Sequence, residues 1–216
     1  MTKTLRNLVR GGMLALASIL PLKEAKSQIN GNVQYIQHQD NSESYVRTFA
    51  FYTLPGEIKG FGIGEFYKGG DGYFGVNFLE KETGKGINPR VRIESDNEPF
   101  TWGSLGAEVP VNGLPKGISA NIRWDALWID KNGKYTPNRS VLGYFVSADL
   151  PLGFDFSTLG EFHVAKSEGV TWKYGEIDVG GKVGPFRVSY NPALESVGDG
   201  KRSPKFKHRL NVSAGF

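Results

Sequence analysis

The sequence predicts an all-β fold, an antiparallel up-and-down barrel of about twelve strands, on the strength of three observations. Twelve stretches rich in alternating or β-forming residues recur at short and even spacing along the chain. Clusters of Gly, Pro, Asn and Asp separate them, as at Asn112-Gly113 and Asn132-Gly133, where tight turns are expected. No stretch has sustained helical periodicity or the composition of a linker, so residues 28–216 are predicted to form one domain.

The strands expected from this spacing fall into an order with informative connections. They are Asn32–His38, Tyr45–Leu54, Gly60–Lys68, Tyr73–Glu80, Arg90–Ser95, Phe100–Val109, Ile118–Ile129, Val141–Leu150, Phe154–Ala165, Thr171–Val179, Phe186–Tyr190 and Phe206–Phe216. The longest connections are the first, seventh and eleventh. Successive connections of an up-and-down barrel alternate between its two ends, so these three odd-numbered connections lie at the same end. Ten strands is the alternative, because the fifth and eleventh stretches are shorter than the roughly 9–11 residues of a tilted membrane strand.

Residues 1–27 are predicted to be a cleaved secretory signal peptide. Lys3, Arg6 and Arg10 precede the apolar run Met13–Leu22, and Ala25-Lys26-Ser27 provides a site of small residues for cleavage. The apolar run is about half the roughly twenty residues that a membrane-spanning helix requires.

The net charge of +4 belongs to this signal rather than to the barrel. Residues 1–27 contain five basic residues and one acidic residue, and their removal leaves 21 of each kind. A neutral mature chain without a basic surface predicts no nucleic-acid partner. Since the chain has no cysteine, disulfides do not stabilise it.

Residues on the two faces of the strands differ in polarity, and this predicts a transmembrane barrel. In the seventh stretch Ile118, Ile122, Trp124 and Trp128 alternate with polar residues such as Arg123, and in the fourth Phe74, Val76 and Phe78 alternate with Gly75 and Asn77. The polar face carries full charges at mid-strand, which a dry core would not accept unpaired, and aromatic residues concentrate near strand ends. The apolar face, including Phe74, Val76, Phe78 and Trp128, is therefore expected to contact lipid.

The last stretch, Phe206–Phe216, resembles the closing strand of bacterial outer-membrane β-barrels. Its apolar face contains Phe206, Leu210, Val212 and the terminal Phe216, and its other face contains Lys207 and Arg209. The resemblance implies location in a bacterial outer membrane, contact with outer-membrane lipid, and an assembly signal formed by these four apolar residues and recognised by the barrel-assembly machinery. We expect this strand to pair antiparallel with the first strand, which begins near Asn32.

The cations on the polar face predict the function. They are Arg90, Arg92, Arg123, Lys173, Arg187, Lys207 and Arg209, with Arg47 as a further candidate, against the acids Glu94, Glu108, Asp125 and Glu161. Seven cations against four acids predict a porin-like passive diffusion channel with mild preference for small anionic solutes. An internal network of salt bridges that plugs the barrel is the other interpretation. In strand number, size and Arg-rich lumen the chain is similar to small monomeric twelve-stranded oligosaccharide porins; the likeness concerns the fold, and no residue roles are carried over.

Two other functions stay open at this point, a non-conducting structural or adhesive outer-membrane protein and a secreted soluble barrel that binds an apolar ligand. No enzymatic activity is expected. Ser147 and His163 are the best catalytic pair, but a turn centred near Leu152 places His163 opposite Val141, about 20 Å from Ser147 at ~3.3 Å per residue. No metal or cofactor is expected either, because the chain has no Cys and only three dispersed His.

Overall fold

The computed structural model describes residues 29–38, 44–54, 58–67, 72–97, 101–136, 140–165, 169–196 and 205–215. The predicted signal peptide and the terminal Phe216 lie outside these ranges and stay predictions. In the ranges described, no helix has the length and apolar character needed to cross a membrane.

Twelve antiparallel strands form the fold, as predicted. They are β1 (Ile29–His38), β2 (Ser44–Leu54), β3 (Ile58–Tyr67), β4 (Tyr73–Lys81), β5 (Asn88–Asp96), β6 (Trp102–Pro110), β7 (Ile118–Asp130), β8 (Ser140–Asp149), β9 (Phe154–Ala165), β10 (Gly169–Val183), β11 (Phe186–Tyr190, continued by Ala193–Glu195) and β12 (Lys205–Lys207, continued by Arg209–Gly215). A short strand, Tyr135–Thr136, extends the hairpin after β7, and a single 3₁₀ turn, Pro151–Gly153, connects β8 and β9.

The sheet closes on itself between β12 and β1. Each strand pairs antiparallel with its neighbour in sequence, and β1 pairs with β12 from Asn32 opposite Gly215 to His38 opposite Arg209. This confirms the predicted closing pair. The predicted register between β8 and β9 is also confirmed, since Ser147 lies opposite Ser157 and His163 opposite Val141.

The outer surface of the barrel is largely apolar and exposed. Large exposed apolar side chains follow the outer face of β1, β6 to β8 and β10 to β12: Val33, Tyr35, Leu105, Val109, Ile122, Trp124, Leu127, Ile129, Leu142, Ile177, Val179, Val188, Tyr190, Leu210 and Val212. Charged side chains such as Arg92, Asp125 and Arg209 are buried on the inner face. An apolar outside and a charged inside are the arrangement of a transmembrane barrel, so the alternative of a soluble barrel with an apolar core is wrong.

Two β-bulges reverse the alternation of inward and outward residues part-way along a strand. Between β6 and β7 the bulged residue is Ala126, and between β9 and β10 it is Lys173. Beyond the first bulge Trp128 points into the barrel and is fully buried, so its predicted contact with lipid is wrong. One extra residue moves every later side chain of a strand to the opposite face, and simple alternation does not anticipate this.

The sector formed by β2 to β4 has large apolar side chains on its inner face, which is a second correction. Phe74, Val76 and Phe78 line the lumen instead of contacting lipid. The outer face of this sector includes Gly60, Gly62 and Gly64, which lie opposite outward-facing residues of β2. The ring of Tyr52 covers Gly60 so closely that a Cβ atom there would lie 2.0 Å from it.

Gly106, in β6 next to the first bulge, has no room for a side chain. A Cβ atom there would lie 2.1 Å from the carbonyl oxygen of Trp124 and 2.8 Å from the Cα atom of Asp125, both backbone atoms. We expect Gly106→Ala to lower the free energy of unfolding by about 1–3 kcal/mol, because the bulge must shift. Urea unfolding in lipid vesicles measures the change. Gly75→Ala in β4 is the matched control, since its nearest neighbour would lie at an ordinary 3.6 Å; equal losses in both variants would contradict the argument.

The barrel lumen as candidate functional site

The lumen contains a cavity of about 1440 Å³. Its walls combine charged residues from most strands with a sector of phenylalanines from β2 to β4. The lining includes seven cations and ten carboxylates, so the predicted excess of positive charge in the lumen is wrong. Glu176 and Asp178 account for part of the difference, because the bulge at Lys173 turns them inward.

A first group of ion pairs, the Glu176 cluster, connects β2 and β3 with β10 and β12. Glu176 binds Arg47 at 3.1 Å and Arg209 at 2.6 Å, and Arg47 also binds Glu65 at 2.7 Å. The hydroxyl group of Tyr45 accepts a hydrogen bond of 2.9 Å from Arg209. These charges are at least nine-tenths buried except Glu65, so their partners compensate for the water they lose.

A second group, the Arg92 cluster, connects β5 with β7 and β9. Arg92 binds Glu94 at 2.6 Å, Glu161 at 2.8 Å and Asp125 at 3.3 Å. Arg90 joins the cluster through Asp125 at 3.3 Å and also binds Glu108 at 3.3 Å. Five ion pairs with carboxylates therefore hold the two arginines against the inner face of the barrel.

Three more of the predicted lumen cations are ion-paired. Lys173 of β10 lies 3.6 Å from Glu161 and 3.9 Å from Glu94 of β5, so it bridges strands on widely separated parts of the wall. Arg187 binds Asp155 at 2.9 Å and also binds Asp178. Lys207 binds Glu195 at 2.9 Å.

Arg123 differs from the other six predicted cations. It lines the cavity, and within the described residues it makes no ion pair. Its guanidinium lies against the wall at Gly143 and donates a hydrogen bond of 3.4 Å to the carbonyl oxygen of Tyr144. Glu108 lies opposite Arg123 in the sheet but is engaged by Arg90. Arg123 is therefore the predicted cation with the most capacity for a solute anion.

The phenylalanines of β2 to β4 form an apolar surface that the sequence did not reveal. Phe78, Phe61 and Phe49 stand in a row with ring centroids 5.9 and 5.8 Å apart, and Phe51 lies 4.8 Å from Phe61. We call these four residues the aromatic wall. The guanidinium carbons of Arg90, Arg92 and Arg123 lie 4.3, 5.4 and 5.8 Å from the centroid of the Phe78 ring. Alternation placed Phe78 on the same face of β4 as other apolar residues, but it did not show whether that face points into the barrel or toward lipid.

The residues of the predicted assembly signal lie on the outer face where they are described. Phe206, Leu210 and Val212 are exposed, and on the same strand Arg209 and Asn211 are buried inside the barrel. Their role in assembly stays a prediction, as does that of Phe216.

The described residues offer no metal site, since they contain no group of three or more His, Cys, Asp or Glu that could hold a metal ion. The register keeps Ser147 and His163 apart along β8 and β9, since the partner of His163 is Val141. The absence of catalytic activity stays a prediction.

Comparison with solved structures supports the fold. The chain is similar to the NanC porin, with a TM-score of 0.57 and 9% sequence identity over 85% of this chain and 98% of that one. A weaker match, to the translocator domain of the autotransporter NalP from Neisseria meningitidis, has a TM-score of 0.30 and 13% identity over 99% and 96% of the two chains. No protein-family model and no curated protein matches the sequence. The chain therefore has the fold of an outer-membrane β-barrel, as its C-terminal strand predicted.

Proposed function

We propose that this protein is a passive diffusion channel of the bacterial outer membrane. The observation that carries the proposal is the cavity of about 1440 Å³ inside a closed twelve-stranded barrel, with walls that combine charged and polar groups. Barrels of eight strands have packed interiors and those of sixteen strands enclose open channels, so twelve strands leave space for a narrow aqueous path. The similarity to a porin concerns the fold and is consistent with this function.

Mild anion preference is part of the proposal, and we assign it to Arg123. Most charges of the lumen compensate one another, so the ions that pass respond chiefly to the groups without an ion pair. Among the described lining residues these include Arg123 on the positive side and Glu80 and Asp149 on the negative side. Arg123 lies in the middle of β7, whereas Glu80 and Asp149 lie near strand ends, and this difference supports the assignment to Arg123.

Planar-bilayer recording tests the channel. The purified, folded barrel, inserted at low density, is expected to give discrete current steps in potassium chloride. Protein that has been heated in detergent to unfold the barrel serves as the control for contaminating porins. Absence of current steps from protein that shows folded mobility on a gel would refute the channel.

The selectivity is tested by the reversal potential in a potassium chloride gradient. We expect Arg123→Gln to lower the ratio of chloride to potassium permeability about twofold to fivefold, because a unit charge at 4 Å in water is worth about 1 kcal/mol. Arg123→Lys keeps the charge and should keep the ratio. A wild-type channel that prefers potassium, or a ratio unchanged in Arg123→Gln, would show that Arg123 does not set the selectivity.

A non-conducting barrel is the second candidate function, and one observation favours it. Lys173 on β10 approaches both Glu161 on β9 and Glu94 on β5, so ion pairs reach across the lumen at that level. If these pairs exclude water, the protein acts through its surface as a structural or adhesive component of the membrane. Bilayer recording separates this candidate from the channel.

Outer-membrane lipid, the barrel-assembly machinery and small anionic solutes are the partners that we propose. The exposed apolar belt favours lipid, and Arg123 favours anions. Recognition of the C-terminal strand by the assembly machinery rests on the sequence alone.

A further inference from the structure

The aromatic wall is an anomaly in the lumen of a membrane barrel. Residues that face an aqueous lumen are normally polar, since exposing apolar area to water costs about 25 cal/mol per Å². Here Phe51 is 51% exposed, and Phe49, Phe61, Ile63 and Phe74 line the same cavity only partly buried. A persistent apolar surface next to a cavity is typical of a binding site.

The arrangement of the four rings limits what fits against them. Neighbouring planes of Phe78, Phe61 and Phe49 are nearly parallel, at 8° and 13°, and that of Phe51 is tilted by 28° from Phe61. Phe78 is buried, whereas Phe51 is half exposed and Phe49 and Phe61 are partly exposed, so these three rings provide the surface toward the lumen. Ring edges carry partial positive charge and attract the electron-rich face of another aromatic ring. A planar aromatic group can make offset-stacked or edge-to-face contacts with these rings, and an aliphatic chain cannot.

The charges next to the aromatic wall indicate which polar group a ligand with an aromatic ring would carry. Three guanidinium groups surround Phe78, and Arg90 and Arg92 are occupied by carboxylates of the protein. Arg123 is not ion-paired within the described residues, and its guanidinium carbon lies 5.8 Å from the Phe78 ring. A planar guanidinium binds a carboxylate through two parallel hydrogen bonds.

We propose that the aromatic wall and Arg123 form one binding site for small aromatic carboxylates. The ring of the ligand lies against Phe51 and Phe61, which are not buried, and its carboxylate accepts hydrogen bonds from Arg123, which lies beside the buried Phe78. This inference deepens the proposed channel function, since it names a solute class for the same lumen, but binding itself does not require conduction.

Ligand-observed saturation-transfer NMR with benzoate, on the folded barrel in detergent micelles, tests the site. Empty micelles give the background. We expect saturable binding of benzoate, with weaker binding of cyclohexanecarboxylate, which lacks the aromatic face, and of benzyl alcohol, which lacks the charge. Equal binding of all three probes would overturn the proposal.

Variants assign the binding to the proposed residues. Phe61→Leu and Phe51→Leu should each weaken benzoate binding about threefold to tenfold, and Arg123→Gln about tenfold. Phe66→Leu, on the outer face of β3, and Lys116→Gln, exposed after β6, are matched controls that should leave the affinity unchanged. Folding of each variant is checked by gel mobility, and Phe51 is exposed enough that its substitution should not disturb the barrel. Wild-type affinity in both Phe51→Leu and Arg123→Gln would refute the site.

The two proposals fail in different ways. Current steps without saturable benzoate binding would refute the aromatic carboxylate site and leave the channel. Benzoate binding that depends on Arg123, in a protein without current steps, would support the site and refute the channel.

Discussion

Replacement of Glu176 by Ala is expected to destabilise the barrel by about 3–5 kcal/mol, because it leaves two buried guanidinium groups without their shared partner. Among the described residues, Glu176 is the one carboxylate that binds both Arg47 and Arg209, and the side chain of Arg209 is only 1% exposed. Arg47 keeps Glu65, but Arg209 makes no other ion pair in the described part of the chain. Urea unfolding in lipid vesicles and the gel mobility of unheated protein measure the loss.

A matched control for this variant is Glu82→Ala. Glu82 also forms an ion pair, with Lys59, but both side chains are more than half exposed. An exposed pair contributes about 0–1 kcal/mol. Glu176→Gln keeps the shape of the side chain and isolates the effect of its charge. If Glu176→Ala and Glu82→Ala cost the same, the Glu176 cluster does not stabilise the fold.

Trp128→Ala should also cost about 3–5 kcal/mol, which is typical of removing a buried tryptophan. Trp128 is fully buried inside the barrel near the end of β7, and its indole nitrogen donates a hydrogen bond of 2.9 Å to the carbonyl oxygen of Asp125. The guanidinium of Arg92 lies 5.5 Å from its ring, so removal of the ring also loosens the Arg92 cluster. The midpoint of urea unfolding in vesicles reports the change.

Trp128→Phe separates the two contributions of this residue. It keeps most of the ring and loses the hydrogen bond, so we expect a loss of about 1 kcal/mol. A residue facing lipid would give a different result, since a phenylalanine at that position would keep the apolar contact and Trp128→Ala would leave no cavity. Nearly equal stability of Trp128→Ala and wild type would place Trp128 outside the packed interior.

The strands and their pairing could be predicted from the sequence because turn residues and alternation are local signals. The turn near Leu152 was sufficient to place Ser147 opposite Ser157. The same reasoning at the turn after β2 would have placed Arg47 opposite Glu65, the pair that the structure shows.

Two physical causes explain why some residues of the lumen could not be predicted from the sequence. A bulge gives no clear sign in a single sequence, and each bulge moved residues such as Glu176 and Trp128 to the face opposite the one that simple alternation gives. Alternation also shows which residues share a face of a strand but not which face points into the barrel. The phenylalanines of β4 were therefore expected to contact lipid, although they line the lumen. Which carboxylate pairs with which arginine depends on strands that are distant in sequence, as for Arg92 and Glu161.

The pairing of β1 with β12 imposes an order on how this chain acquires its structure. Asn32 finds its partner in Gly215, so nearly the whole described chain lies between two residues that are neighbours in the sheet. Hairpins between consecutive strands form from local contacts, whereas this contact requires the entropy of a very large loop to be lost first. Until it forms, β1 and β12 are unprotected edges able to join the strands of another molecule. Closure is therefore the late step of folding. A chain that pairs β1 with its own β12 becomes a closed barrel, and a chain that pairs these edges with another molecule becomes part of an open aggregate.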